Sequence, residues 1–186
     1  MPDTNQSEVS LIESAKQGDI DAFGELYTIH LDAIYRYIYY RINNAQDAED
    51  LTEHTFLKAY EALPDYQQKG KPFSSWLYRI AHNVVVDYHR LNKDNIISIE
   101  ETHDIELGQK QTSTLQEIVN VEEVQTLAEG ISQLSSEQQQ VIILRFLEGF
   151  SHKEVSQILD KNEGACRMIQ YRALLTLQQI LGDYFK

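Results

Sequence analysis

The sequence predicts an all-α protein: two small helical domains joined by an acidic linker, the second domain a helix-turn-helix. Apolar residues recur at three- and four-residue spacing through most of the chain, the period of a helix with one buried face. Cap residues punctuate the C-terminal third at turn-length intervals. Between these parts, residues 94–130 hold 9 acidic residues against 1 basic, and the stretch DNIISIEETHDIELGQKQTSTLQ shows no sustained helical period. The boundaries that follow are 1–93, a linker over 94–120, and 121–186, within the 186 residues that suit one or two domains.

In the first domain a short helix is expected near residues 8–17. Residues 21–42 bring Phe23, Leu26, Ile29, Ala33, Ile34, Tyr37 and Ile38 to one face, with Asp21 as the expected N-cap. Residues 46–63 repeat the pattern through Ala48, Leu51, Thr55, Phe56, Ala59 and Leu63, and Pro64 ends it. From Pro72 to Lys93 a wide stripe of Phe73, Trp76, Leu77, Ile80, Ala81, Val84, Val85 and Leu91 predicts a third long helix.

The second domain is marked by its caps. Ser136 with Gln139 predicts a capping box before the run Val141 to Leu147, and Gly149 stands where a helix C-terminus favours positive φ. Ser151 with Glu154 predicts a second box, opening a short helix that buries Val155, Ile158 and Leu159. After Asp160-Lys161, Asn162 caps a last helix reaching about Leu181. A short helix, a tight turn and a longer helix is the helix-turn-helix pattern.

The net charge of -13 opposes attraction of the whole chain to nucleic acid, provided the charge is evenly spread. It is not. The net values are -5 for 1–93, -8 for 94–130 and 0 for 131–186. Within 66–93 stand five basic residues, Lys69, Lys71, Arg79, Arg90 and Lys93, against Asp87 alone.

At 100° per residue, Cys166, Ile169, Ala173, Leu177 and Ile180 fall on the core side of the last helix. The opposite side carries Gly164, Met168, Tyr171 and Leu175, flanked by Arg167 and Arg172. Two arginines beside a small residue at a helix N-terminus suit a major groove, where Arg meets guanine or phosphate and Met or Tyr meets a thymine methyl. Solvated arginines on an ordinary surface helix are the plainer alternative. The exposed apolar set needs a partner of some kind. On the third long helix, Arg79, Asn83, Val86 and Arg90 form one longitudinal row with His82 and His89 beside it, a basic face suited to single-stranded phosphates. Phe73 and Trp76 are expected to be core residues before they are stacking platforms.

Other chemistry is not indicated. A single Cys166 excludes an internal disulfide and points to a reducing compartment, and its place on the buried side gives it an apolar role. The six histidines form no HExxH pattern, and no Walker A, GxGxxG or GxSxG motif occurs, so neither metal, cofactor nor enzymatic activity is expected. No apolar run approaches a membrane span, and MPDTNQSEVS has neither the basic nor the apolar part of a secretory signal.

DAEDLTEHTFLKAYEAL at 47–63, FSSWLYRIAHNVVVDYHR at 73–90 and SSEQQQVIILRFLEGFSHKEVSQIL at 135–159 resemble, in that order, segments of the extracytoplasmic-function (ECF) sigma factors of the sigma-70 family. The resemblance spans nearly the whole chain outside the linker. It implies a sigma-2 domain, a linker and a sigma-4 domain, acting in the bacterial cytoplasm as a dissociable promoter-recognition subunit of RNA polymerase. Position by position, it implies docking on the polymerase by Asp47, Glu49, Asp50, Leu51, Glu53 and Phe56. It implies minus-10 recognition by Arg79, Asn83, Asp87, Tyr88 and Arg90, and minus-35 recognition by Gly164, Arg167, Met168, Tyr171 and Arg172. The chain departs from the commoner family pattern at Ala165, at Met168-Ile169 and at Leu175-Thr176, which implies fewer phosphate contacts and an unusual motif preference. It further implies an acidic linker that imitates nucleic acid in the polymerase channel, for which a solvated tether is the alternative, and an anti-sigma factor as a possible partner. A polymerase-independent helix-turn-helix regulator and a helical protein-binding adaptor are the alternatives in function.

Overall fold

The computed structural model describes residues 4–67, 70, 72–95 and 115–182. Lys69, Lys71 and the linker over 96–114 lie outside the described residues, as does the side chain of Lys93. All the regular structure among the described residues is helical. The first domain comprises α1 (Thr4–Lys16), α2 (Ile20–Ile42), α3 (Ala45–Ala62), a 3₁₀ turn (Leu63–Asp65) and α4 (Phe73–Asn95). The second comprises α5 (Leu115–Ser132), α6 (Ser136–Ile142), a π turn (Ile143–Leu147), α7 (His152–Leu159) and α8 (Glu163–Leu181). α5 thus begins within the stretch expected to be linker.

Local chemistry explains most helix ends. Asp19, two residues before the expected Asp21, caps α2, its carboxylate accepting from the backbone N–H groups of Asp21 and Ala22 at 3.0 and 3.1 Å. Asp19 takes the extended conformation that a cap requires, and Asp21 lies inside the first turn where its charge favours the dipole. Asn43 closes α2 in the left-handed region at φ 53°, and Asn44 caps α3. Likewise the first box of the second domain is made by Ser135 and Gln138, one residue earlier than expected: adjacent serines and glutamines offer the same pattern in two registers. The Ser151–Glu154 box, Gly149 at φ 74° and the Asn162 cap stand where expected.

The first core gathers around α2, whose Leu26, Ile34, Tyr37 and Ile38 are fully buried, against Phe56 and Ala59 of α3 and Phe73, Leu77, Ala81 and Val85 of α4. In the second domain Val141, Ile143 and Leu144 meet Val155, Ile158, Cys166 and Ala173, and Leu159 is partly buried beside them. Gly130 permits a close crossing of α5 and α8, since a Cβ there would come within 2.9 Å of the Leu181 side chain. The domains are not separate bodies: α5 and α6 pack on α2, and α7 packs on α4.

Candidate functional site

Three outward faces carry the residues singled out by sequence. On α3, Glu49, Asp50 and Glu53 are exposed, and the only bond formed by these three carboxylates among the described side chains is Gln46 to Asp50 at 3.5 Å. Asp47 is half-buried and accepts a 2.6 Å hydrogen bond from the Tyr88 hydroxyl of α4. Leu51 is half-buried against the core, and Phe56 is buried with its ring 4.6 Å from that of Tyr27. The exposed carboxylates of the face are therefore Glu49, Asp50 and Glu53, while Phe56 fixes the helix from beneath. The same face carries two residues absent from the sequence-based set, Leu57 at 54% exposure and Tyr60 at 40%. Their signal was present: both stand on the otherwise polar side at helical spacing from Glu53.

On α4 the row of Arg79, Asn83, Val86 and Arg90 is exposed along its length. Arg90 pairs with Asp87 at 3.2 Å in open solvent, a contact that leaves both available to a ligand. Tyr88 points away from the row to Asp47. Phe73 is buried, and Trp76 is half-buried with its ring 4.8 Å from Tyr66 and 5.3 Å from Phe73. Trp76 does more than fill the core, because it lines an open groove of about 610 Å³ between α3 and α4, with Lys58, Glu61, Ile80, Asn83 and Asp87. His82, expected beside the row, turns to the second domain, where burial first and Arg41 next lower its pKa to about 4. It is a neutral hydrogen-bonding group there.

On α8, Gly164, Arg167, Met168, Tyr171 and Arg172 are exposed together, with Met168 51% and Tyr171 61% accessible. Leu174 and Leu175 extend the apolar part. Arg167 lies 3.4 Å from Glu163 in the same helix, an exposed pair easily exchanged for another anion. The Cys166 side chain faces the core and burial raises its pKa, so a thiolate is disfavoured. Behind α8, Gln170 accepts from Arg145 at 3.3 Å and meets His152 at 2.8 Å, fixing the angle between α7 and α8. Among the described residues no group of His, Cys, Asp or Glu is placed to hold a metal ion, and no helix is long and apolar enough to cross a membrane.

Known proteins match both domains. The family described as Sigma-70 region 2 matches residues 26–94, and that described as Sigma-70, region 4 matches residues 125–177. The ECF RNA polymerase sigma factor BldN of Streptomyces coelicolor is 36% identical over 178 residues, covering 94% of this chain and 66% of its own length. The chain therefore spans about two thirds of that relative. The ECF RNA polymerase sigma factor SigW of Bacillus subtilis is 29% identical over 92% of this chain and 95% of its own. Among solved structures, that of CnrH in complex with the cytosolic domain of CnrY superposes with a TM-score of 0.72 at 24% identity, covering 95% of this chain and 98% of that one, and shows the shared fold. With both regions matched in order on the two domains, the chain belongs to the sigma-70 family, in its ECF group.

Proposed function

We propose that this ECF sigma factor binds core RNA polymerase through α3, reads the minus-10 element with α4 and the minus-35 element with α8, and so starts transcription at its own promoters in the bacterial cytoplasm. The carrying observation is the match of region 2 and region 4, in order, to the two domains that expose these faces. Docking falls to Glu49, Asp50 and Glu53, with Leu57 and Tyr60 supplying the apolar centre that a carboxylate face alone lacks. Minus-10 recognition falls to Arg79, Asn83, Asp87 and Arg90 around the groove lined by Trp76, a shape suited to an unpaired base. Asp47 and Tyr88 join these two helices by bonding to each other. Minus-35 recognition falls to Gly164, Arg167, Met168, Tyr171 and Arg172, where Gly164 leaves room for close backbone approach. The chemistry of RNA synthesis belongs to the polymerase, and the chain supplies positioning.

A polymerase-independent regulator is disfavoured by charge. α8 offers two exposed arginines, one of them paired with Glu163, which makes for few phosphate contacts. A protein partner is also suitable, since CnrH has been solved with the cytosolic domain of CnrY. The exposed Met168, Tyr171, Leu174 and Leu175 suit such a contact as well as a thymine methyl.

The division of labour is tested by two substitutions in a core pull-down and a run-off transcription assay. Asp50→Arg is expected to weaken core binding. Arg167→Ala is expected to leave core binding intact and to lower transcription chiefly at promoters that depend on a minus-35 element. Equal behaviour of the two variants in the pull-down would overturn the assignment.

A further inference from the structure

The two domains meet across a polar seam that the faces above do not use. Glu148, directly after the π turn, has a side chain only 4% exposed. Its carboxylate takes three donors from the first domain: Arg36 Nε at 2.8 Å, Arg36 Nη2 at 2.9 Å and the Tyr78 hydroxyl at 2.8 Å. Phe150 closes over Tyr78, ring centroids 5.2 Å apart and nearly perpendicular. Farther along, Arg41 Nη2 donates to Ser136 Oγ at 3.0 Å, and the Gln140 amide meets His82 Nδ1 at 3.0 Å. A bidentate guanidinium on a buried carboxylate fixes both distance and angle, so this is one defined arrangement of the domains.

That arrangement is too short for a promoter. α7 packs on α4, and α8 packs on α7. Two helix spacings of about 8–10 Å each therefore separate the helices assigned to the two elements, roughly 20 Å in all. The minus-10 and minus-35 elements lie, by their positions, roughly 25 base pairs apart, on the order of 85 Å at about 3.4 Å per pair. One chain in this form cannot hold both.

The seam also contains a force that favours opening. Arg41 is 2% exposed, and its contacts are Tyr37, His82 and Ser136, all neutral acceptors. Among the described residues no carboxylate pairs with it, and its Nε has no partner. A buried cation without a counter-charge favours return to water. The Glu148 clasp acts against that tendency.

We propose that Glu148, clasped by Arg36 and Tyr78, is a latch that keeps the free chain closed and unable to span a promoter, and that its release admits the chain to polymerase and DNA. The closed form stands on the geometry alone; the gating of transcription rests on the sigma-factor function proposed above.

Small-angle X-ray scattering of the full chain tests the first part, comparing wild type with Glu148→Ala, Arg36→Glu and the exchanged pair Arg36→Glu/Glu148→Arg. Circular dichroism checks that each remains helical. Wild type is expected near the radius of gyration of a compact chain of this length, about 16 Å. Both single variants should be larger by several ångströms, and the exchanged pair should return toward wild type. A wild type as extended as the single variants, or single variants as compact as wild type, overturns the latch. Run-off transcription at limiting core tests the second part: the opened variants should reach half-maximal output at roughly threefold lower concentration or less, as a larger competent fraction requires. Equal half-maximal concentrations in chains that scattering finds open overturn the gating. Absence of transcription from all four chains overturns the sigma-factor function and leaves the scattering result in force.

Discussion

The bond from Tyr88 to Asp47 is short, partly buried and formed with a carboxylate, the kind of single contact whose loss is measurable. Tyr88→Phe removes the hydroxyl and keeps the ring, and is expected to destabilise the first domain by about 1–2 kcal/mol in a denaturant titration. If Tyr88 instead met DNA through its hydroxyl, the variant would keep its stability and lose minus-10 recognition. Cys166 offers a second residue-scale test. Its side chain is fully buried among apolar neighbours, so Cys166→Ser, which introduces a hydroxyl there, should cost about 1–3 kcal/mol, more than Cys166→Ala. Both roles follow from side-chain direction. The helical period assigned Cys166 to the core correctly, but it could not tell that Tyr88, beside an exposed row, would turn toward α3.

At the scale of the element, α7 and α8 depend on their first residues. The Ser151 hydroxyl accepts from the Glu154 N–H at 3.2 Å while the Glu154 carboxylate accepts from the Ser151 N–H at 2.8 Å, and these bonds also hold the Glu154 carboxyl below its ordinary pKa. Ser151→Ala should cost about 1 kcal/mol and lower the thermal midpoint of the second domain. Asn162→Ala removes the 2.7 Å acceptor for the Ala165 N–H and should cost a similar amount while fraying the end of α8 that carries Gly164 and Arg167. These signals were legible in sequence because each is complete within four residues. Where two registers are equally good the sequence does not separate them, as with Asp21 against the actual cap Asp19 and Ser136 against the actual cap Ser135. The outer face of α8 was legible for the same local reason, since a single helix decides it. The seam was not. Arg36 and Glu148 are 112 residues apart, and each looks like an ordinary surface charge in its own helix. No period or motif announces a pair that only tertiary packing brings together.

For the whole molecule, the closed form should respond to acid through His82. Its ring lies between domains, faced by Arg41 of α2, Arg79 of its own helix, Lys161 after α7 and the neutral Gln140 of α6. Burial and these cations lower its pKa to about 4, against 6.5 in the unfolded chain. Between those values the unfolded chain, or an opened seam, binds a proton that the closed form refuses. The contribution is complete above about pH 6.5 and is lost as pH falls toward about 4. Scattering at successive pH values should show expansion across this window, and His82→Gln should flatten the response; an unchanged radius in wild type would contradict it. The tyrosines of the first core respond in the opposite range: burial raises Tyr40 and Tyr66, and burial with the Glu148 carboxylate raises Tyr78, most strongly of the three, so each holds its proton above the ordinary tyrosine range. The overall charge of -13 takes on a different meaning once divided among these parts. It opposes attraction of the chain as a whole to DNA, while exposed arginines stand on α4 and α8.

The tie between Tyr88 and Asp47 has a mechanical consequence as well. It ties α3 to α4 across their shared interface, with the buried Phe56, Leu77 and Ala81 packed between the helices of the same core. The acidic face of α3 and the basic row of α4 are thereby held in one relative orientation. Under the proposed assignment of α3 to polymerase and α4 to the minus-10 element, position on one partner would set aim on the other.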